Sequence, residues 1–393
     1  MLQLDRRLFL KSAALLGCSA AAHPLMNSMT FAALPSDNRL VVIILRGAMD
    51  GLDAIQPYGD TMLRKLRRDL SLGPDAGALD LDGFYALHPR LGPLLPLWQK
   101  GELAFAHAVS TPYRDKRSHF DGQDVLEAGT GNDLPVDRRL GGWLNRLLQA
   151  VPGASSETAY AVGIEQMKIL EGKAAHMAWA PRAALNLSPQ AQLLLEHIYH
   201  DDPLFRDAAR DAVQIGAESP AMEKTTGPTG DAQSLAAFAA NRLNAESRIA
   251  AFSIPGWDSH ANQAPVIGRG FDRLAAAILA LRDGLGANWQ RTTVLAMTEF
   301  GRTVRENGSG GTDHGTGGAL IMAGGAIKGG RAYGDWPGLG EGQLYAGRDL
   351  MPLRDIRAYA AWAMRGLFGL EPGVLERAVF PGLDLGGDPG MLA

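Results

Sequence analysis

Cysteine is nearly absent from this sequence, since Cys18 is the single cysteine among 393 residues. Because Cys18 lies within an apparent export signal, the mature chain would have no disulfide bond and would depend on packing or bound metal for stability. No later apolar run is long enough to span a membrane. A formal net charge of -4 and the absence of a basic stripe argue against nucleic acid as a partner. The composition, 46% hydrophobic and 20% charged, is that of a globular protein with a large core.

The N-terminus has the pattern of a twin-arginine export signal. Arg6 and Arg7 precede a short, weakly apolar stretch at 12–22, and small residues follow near position 32. We therefore predict a signal peptide at 1–32, export by the twin-arginine translocase, and a periplasmic or secreted mature protein. Lipid attachment at Cys18 is an alternative, because the residues before it imperfectly resemble a lipoprotein signal.

The rest of the chain has the pattern of one α/β domain, 33–393. Four apolar runs are predicted as strands: 39–45, 103–109, 292–297 and 319–323. The first is continuously apolar and β-branched, as expected of a strand buried on both faces of a parallel sheet. Helical periodicity occurs at 140–151 and 272–285, and we predict a helical insertion at 134–212. In open α/β sheets ligands bind beyond the carboxyl ends of the strands, so the loops there should converge on one site.

Acidic and histidine side chains recur among glycines in these loops: Asp50, Asp258, His260, Glu299, Asp313 and His314. Divalent cations take oxygen and nitrogen ligands of this kind, and a set without thiols suits zinc, manganese, magnesium or calcium. Each residue also has a purely structural interpretation, in which Asp50 caps a turn and His314 bonds a backbone carbonyl. The same composition in several loops nevertheless favours a shared metal site.

A second group of candidates surrounds Ser118, which precedes a predicted helix at 123–128. Free N–H groups and the dipole at a helix N-terminus favour an anion and help to activate a hydroxyl, although a plain helix cap is the alternative. His119 could orient a substrate, bind metal or simply cover the loop. Three arginines lie beside candidate acids or hydroxyls, where they could clamp phosphate or sulfate oxygens or neutralise the carboxylates: Arg46, Arg117 and Arg302.

Taken in order, these segments resemble the exported domain-of-unknown-function 1501 family, which is grouped with the alkaline phosphatase and sulfatase superfamily. Besides the twin-arginine signal, the matching segments are 45–52, 117–121, 256–260, 299–303 and 312–315. The resemblance implies an alkaline phosphatase-like fold with a central sheet flanked by helices. It also implies a site for one or two divalent metal ions, with zinc or manganese favoured over calcium or magnesium.

The resemblance further implies a metal-dependent hydrolase of phosphate or sulfate esters. Ser118 matches the superfamily nucleophile in position, and either Ser118 or a metal-activated water would attack in line, assisted by Arg117, His119 and Arg302. The substrate would be a small anionic ester or a decorated glycan or lipid. The superfamily's Asp-His-Gly loop resembles 313–315 by residue type. By strand order, however, 299–301 occupies a comparable place, with Glu299 for the aspartate and Phe300 for the histidine, so the resemblance leaves a second metal open.

The alternative is a non-catalytic exported binding or assembly protein on the same scaffold. The departure at Phe300 favours it, whereas the retained acids and histidines of the other loops argue against it. An isomerase or mutase is a third option, since fold does not fix function.

Overall fold

The computed structural model describes residues 29–32, 36–71, 73–114, 116–131, 141–151, 161–162, 167–174, 177–179, 230–245 and 247–393. Its strands are β1 Met29–Ala32, β2 Arg39–Arg46, β3 Ile55–Gln56, β4 Leu79–Asp80, β5 Ala86–Leu87, β6 Leu103–Ser110, β7 Ala161–Val162, β8 Met177–Trp179, β9 Ile249–Pro255, β10 Thr292–Met297, β11 Gly318–Ala323, β12 Arg331–Tyr333 and β13 Arg354–Asp355. Its α-helices are α1 Gly51–Ala54, α2 Leu63–Leu66, α3 Leu95–Gln99, α4 His119–Ala128, α5 Trp143–Ala150, α6 Gly230–Asn244, α7 Gln263–Leu285, α8 Ile356–Phe368 and α9 Pro372–Val374.

The main sheet has the strand order β12-β6-β11-β10-β2-β9-β1-β7-β8, and β13 also pairs with β6. Strand β2 is parallel to β9 and β10, whereas β11 is antiparallel to both of its neighbours, β10 and β6. The beginning of β11 therefore lies at the same edge as the ends of β2, β6, β9 and β10. This geometry brings the loops of interest to one edge, as the sequence predicted.

The central strand β2 explains why the sheet is covered on both faces. Alternate residues enter two separate cores, with Val41, Ile43 and Leu45 in one and Leu40, Val42 and Ile44 in the other. Helices α6 and α7 cover the first core, and α5 and α8 cover the second. A strand buried on both faces needs a continuous apolar run, which is the pattern that the sequence shows at this position. The mixed α/β architecture with a mostly parallel central sheet is thus confirmed.

Helix α7 begins at Gln263, nine residues before the predicted start at 272. Two glycines interrupt the apolar pattern in its first turns, and one of them is required by packing. A Cβ atom on Gly270 would lie 2.8 Å from the Trp257 ring, so the helix can approach this buried tryptophan because position 270 has no side chain. The early part of the helix therefore lacks the periodicity from which it could be predicted.

Parts of the predicted insertion and signal lie outside the described residues. Within 134–212, the described segments hold α5, which confirms the predicted helix at 140–151, and the short strands β7 and β8. Residues 1–28 of the predicted signal are not described, but β1 pairs antiparallel with β9, so the expected cleavage point falls at the end of a strand. Among the described residues, no helix combines the length and apolar character that a membrane-spanning segment requires.

Candidate metal centre

Three of the converging loops supply side chains whose possible ligand atoms meet at one point. His119 opens α4 in the loop region after β6, Asp258 follows β9, and His314 precedes β11. One ligand atom from each of these residues lies within 4.8 Å of the other two. These three residues are close enough together to hold a metal ion, and they are the group with this property in the described part of the chain.

Each histidine around this point has its Nδ1 atom against a hydrogen-bond acceptor. The Nδ1 atom of His119 lies 2.8 Å from Glu299 Oε1, and that of His314 lies 2.8 Å from the Arg117 carbonyl oxygen. His260 Nδ1 lies 3.2 Å from Asp313 Oδ1. Because carbonyl and carboxylate oxygens accept hydrogen bonds, we assign the proton of each neutral imidazole to Nδ1. The Nε2 atom of each ring then carries a lone pair.

These Nε2 atoms are directed at Asp258. Oδ1 of Asp258 lies 3.1 Å from Nε2 of His260 and 3.4 Å from Nε2 of His314, and Oδ2 lies 3.4 Å from Nε2 of His119. The Nε2 atoms of His260 and His314 are 2.9 Å apart. Two lone pairs at this distance repel each other unless a proton or a metal cation lies between them.

The Nε2 atom of His119, which has no hydrogen-bond partner among the described residues, indicates whether a metal ion fits at this site. This atom is buried and has no hydrogen-bond partner within the described structure, although buried ring nitrogens are normally paired. Imidazole with Nδ1–H held by a carboxylate or carbonyl and Nε2 turned inward is the usual arrangement of a metal-binding histidine. The two imidazoles and one carboxylate of His119, His314 and Asp258 could therefore hold a metal ion.

The charges around Asp258 keep it ionised. Its burial alone would raise the pKa, but the hydrogen bond and the positive charge of Arg302 lower the pKa of Asp258 to about 2. Burial lowers the pKa of His314 below its ordinary value, which favours the neutral ring that a metal requires. For His119, burial opposes protonation, but the hydrogen bond to Glu299 and its negative charge raise the pKa above the ordinary value.

Glu299, which was predicted as a metal ligand, lies behind His119 and bonds its ring, outside the possible ligand group. Its side chain is fully buried, and its Oε1 also accepts hydrogen bonds from the backbone N–H groups of Gly47 and Ala48 and from the Gln123 amide. Burial would raise the pKa of Glu299, but the hydrogen bonds, led by that of His119, hold it below its ordinary value. The Glu299 carboxylate therefore holds the loop of Gly47 and Ala48 and the imidazole ring of His119 in place.

Arg302 also differs from the expectation that it clamps a substrate. Its buried guanidinium donates to the carbonyl oxygens of Gly47, Ala48, Trp257 and Thr312, and its Nη2 lies 2.7 Å from Asp258 Oδ1. These bonds use its donors to hold the site loops together. Arg46 is likewise engaged, since its Nη2 lies 2.6 Å from Glu127 Oε1. Arg302 thus pairs with the candidate acid Asp258, whereas Arg46 pairs with Glu127, which was not among the predicted acids.

Asp50 lies outside the metal group, and its interpretation as a turn cap is confirmed. It is the N-cap of α1, with Oδ1 accepting from the backbone N–H groups of Leu52 and Asp53. Its Oδ2 lies 2.8 Å from Arg67 Nη1 and 2.8 Å from Gln263 Nε2. Asp50 was predicted as a metal ligand, and the structure places this buried carboxylate against Arg67 and Gln263, apart from the possible ligand group.

Ser118 and Arg117 lie at the start of α4, beside His119. Ser118 is the N-cap of this ten-residue helix, and its Oγ accepts from the Asp121 N–H at 3.4 Å. Arg117 has a backbone φ of 53°, a conformation that non-glycine residues rarely adopt. This conformation accompanies the hydrogen bond from His314 to its carbonyl, while its side chain is exposed and makes no hydrogen bond to a described residue.

Two amide side chains of the site were not predicted. Asn307 Nδ2 donates to the His260 carbonyl at 2.8 Å and to Asp313 Oδ1 at 3.1 Å. The hydrogen bond from Asn307 is the main cause that lowers the pKa of Asp313. Gln263 bonds Ser259 and Thr312, which lie in the loops of Asp258 and His314, and it also bonds Asp50. A single Asn or Gln carries no sequence signal for such a role, because its partners come from distant segments.

Fold and site together define a mixed α/β protein with a histidine and carboxylate cluster at the carboxyl edge of its sheet. A protein family described as protein of unknown function (DUF1501) matches residues 99–359, about two thirds of the chain. The chain belongs to this family. The matched span contains the whole histidine cluster and excludes Asp50. Neither the curated proteins nor the solved structures contain a match to the chain.

The backbone at Gly315 leaves no room for a side chain. A Cβ atom there would lie 2.4 Å from the Arg302 carbonyl carbon, whereas one on Gly308 would meet nothing within 4 Å. We predict that Gly315→Ala shifts the loop of His314, costs about 1–3 kcal/mol of unfolding free energy and weakens metal binding. Gly308→Ala should change neither. Chemical unfolding of the metal-free proteins and zinc titration measure both effects, and equal behaviour of the two variants would contradict the prediction.

The buried cluster around Asp50 predicts a pH-dependent stability. Burial, and then the charge of Asp50, raise the pKa of Asp53 to about 6 from the model-peptide value of 3.8. A carboxyl with a raised pKa stabilises the fold fully below about pH 4, and this contribution is lost as pH rises through about 6. Asp53→Asn should therefore gain stability relative to the wild type between pH 4 and pH 8, on the order of 1–3 kcal/mol.

Urea unfolding at several pH values measures this difference. Asp69→Asn, at an exposed position of the neighbouring segment, is the control and should retain the wild-type profile. An Asp53→Asn profile parallel to that of the wild type would show that Asp53 is already ionised at pH 4 in the folded state.

Proposed function

We propose that this protein is an exported, metal-dependent hydrolase of phosphate or sulfate esters. The observation that carries the proposal is the inward-directed set of three Nε2 atoms around Asp258, of which that of His119 is buried without a hydrogen-bond partner. The twin-arginine pattern supports export to the periplasm or beyond the cell. The likeness of the segment order to the alkaline phosphatase and sulfatase superfamily supports the ester chemistry.

One divalent ion per chain, zinc or manganese, would be held by His119, His314 and Asp258, with His260 as a fourth ligand. A bound ion of this kind supplies Lewis-acid chemistry: it polarises an ester oxygen and lowers the pKa of water. The side chains of Asp258 and His260 are 46% and 47% exposed, so a substrate can reach the cluster from solvent. Arg302 compensates the charge of Asp258 from beneath.

Two neighbouring groups suit an anionic substrate. The Arg117 guanidinium can bind two non-bridging oxygens of a phosphate or sulfate group, and the first N–H groups of α4 favour negative charge. In the proposed reaction, Ser118 Oγ or a water molecule attacks phosphorus or sulfur in line with the bond to the alcohol oxygen, which breaks, and the alcohol leaves with the proton that the attacking hydroxyl gives up. When Ser118 attacks, a water molecule then hydrolyses the serine ester, which releases phosphate or sulfate and restores the serine hydroxyl. The substrate class is a small anionic ester or an ester-decorated glycan or lipid.

A non-catalytic binding or assembly protein is the second candidate, and Phe300 supports it. Its ring stacks on His119 with centroids 5.2 Å apart, and its centroid lies 5.3 Å from that of His314. A buried aromatic ring thus packs against the cluster from the loop where the superfamily places further metal ligands. Asp50 bonds Arg67 and Glu299 bonds His119, so neither carboxylate is available as a ligand for a second metal ion. A two-metal mechanism therefore lacks its second set of ligands.

The test is to purify the protein without chelators, measure its metal content and screen phosphate and sulfate monoesters. We expect about one zinc or manganese ion per chain, and none in the His119→Ala, His314→Ala double variant. Ser118→Ala should keep the metal but lose at least about 100-fold in kcat if the serine is the nucleophile. Ser309→Ala, at an exposed position of the loop before His314, is the matched control.

The outcomes separate the two candidates. Bound metal without hydrolysis of any ester would favour the binding protein. Full activity of Ser118→Ala would leave water as the nucleophile. Absence of metal from wild-type protein expressed with zinc and manganese would contradict the hydrolase.

A further inference from the structure

We propose that Gln263 is a further positioning residue of the metal centre, beside Glu299 and Arg302, a role that rests on the proposed metal site. Gln263 is the first residue of α7 and is completely buried. Its side chain lies between the buried cluster of Asp50, Asp53 and Arg67 and the two loops that carry most of the ligands. We define these as the β9 loop, 256–262, and the β11 loop, 307–317.

The amide oxygen of Gln263 bonds both loops at once. Oε1 accepts from Thr312 Oγ1 at 2.7 Å and from Ser259 Oγ at 3.1 Å. Ser259 lies between Asp258 and His260 in the chain, and Thr312 stands two residues before His314. A single buried oxygen thus fixes the separation of the segments whose Nε2 atoms must meet.

The amide nitrogen of Gln263 determines the orientation of the group. Nε2 donates to Asp50 Oδ2 at 2.8 Å and to Asp53 Oδ2 at 3.3 Å. Asp50 is itself held by Arg67 Nη1 at 2.8 Å. Because an ionised carboxylate only accepts, the amide cannot turn over, and its oxygen must face the two hydroxyl groups. All four hydrogen-bonding positions of the side chain are occupied.

The backbones of the two loops are in contact around this side chain. Gln263 N–H donates to the Gly310 carbonyl at 2.8 Å, and Thr312 N–H donates to the Ser259 carbonyl at 3.2 Å. A Cβ atom on Gly311 would lie 2.5 Å from the His260 carbonyl carbon. The two loops are therefore in direct contact, and the buried Gln263 side chain connects both of them to Asp50, the N-cap of α1.

Loss of this amide should affect the ligands more than the fold. Without it, the hydroxyl groups of Ser259 and Thr312 lose their acceptor, and Asp50 loses one donor but keeps Arg67 and its backbone bonds. Nε2 atoms must be placed to within a few tenths of an ångström for a metal ion to bind well. Substitution of groups that orient metal ligands typically weakens metal affinity about 10–100-fold.

Gln263→Met removes the amide and keeps the shape of the side chain, and Gln290→Met is the matched control. Gln290 is exposed and precedes β10, at the opposite edge of the sheet. In metal-free protein, side-chain nitrogen NMR of labelled histidine should show changed signals for His260 and His314 in Gln263→Met and unchanged signals in Gln290→Met. In zinc titration, Gln263→Met should bind at least about tenfold more weakly.

Two milder variants keep the test valid if Gln263→Met does not fold. Thr312→Val and Ser259→Ala each remove one hydroxyl, and each should move the same histidine signals by a smaller amount. In one outcome, the wild type binds no zinc while the histidine signals of Gln263→Met still differ from those of the wild type. That result would support the positioning role of Gln263 and contradict the proposed hydrolase. Unchanged histidine signals and unchanged zinc affinity in all three variants would overturn the proposal, even if their thermal stability fell.

Discussion

The buried guanidinium of Arg302 is the interaction on which the site depends. It joins the loop after β2, the loop after β9 and the loop before β11 through carbonyl oxygens, and it bonds Asp258 as well. A buried cation is tolerated only when it is fully paired, and here its partners are the segments that must converge. The Arg302 guanidinium therefore holds the loops together at this edge of the sheet. It also keeps Asp258 ionised, at the point where a cation would bind.

The orientation of the histidine rings depends on carboxylates that have different roles. Glu299 and Asp313 accept the Nδ1 protons of His119 and His260, so that these rings turn Nε2 toward Asp258. Asp258 is the carboxylate left with partly exposed oxygens at the centre. Asp50 lies deeper, where Arg67 neutralises it and Gln263 connects it to the ligand loops. The acids therefore have three different roles although their sequence contexts are alike.

Sequence reasoning reached the parts of the structure that depend on local pattern. The four predicted strands are confirmed because each is buried on both faces and reads as an apolar run. Strand β9, Ile249–Pro255, was not predicted, since three of its seven residues are alanine or serine and the run has little β-branched character. The convergence of loops was predicted from strand direction. The antiparallel course of β11 could not be, although it is what brings His314 to the site.

The distinction between ligands and their supports could not be read from the sequence. Asp50 and Asp258 both follow a strand within a glycine-containing loop, and the difference is made by Arg67 and Arg302, which come from distant segments. His119 was predicted beside Ser118 with metal binding as one of several roles, and the structure groups it with Asp258 and His314 because Glu299 orients its ring. Partners across the fold, and not neighbours in the chain, decide these roles.

We propose that the three imidazoles of His119, His260 and His314 and the carboxylate of Asp258 surround a single ion. X-ray absorption spectroscopy of the zinc-loaded protein tests it most directly. The account predicts a four-coordinate shell of nitrogen and oxygen at about 2.0–2.1 Å, with the outer-shell scattering of about three imidazole rings. A shell dominated by water and carboxylate oxygen, or a second metal at about 3.5–4 Å, would contradict it.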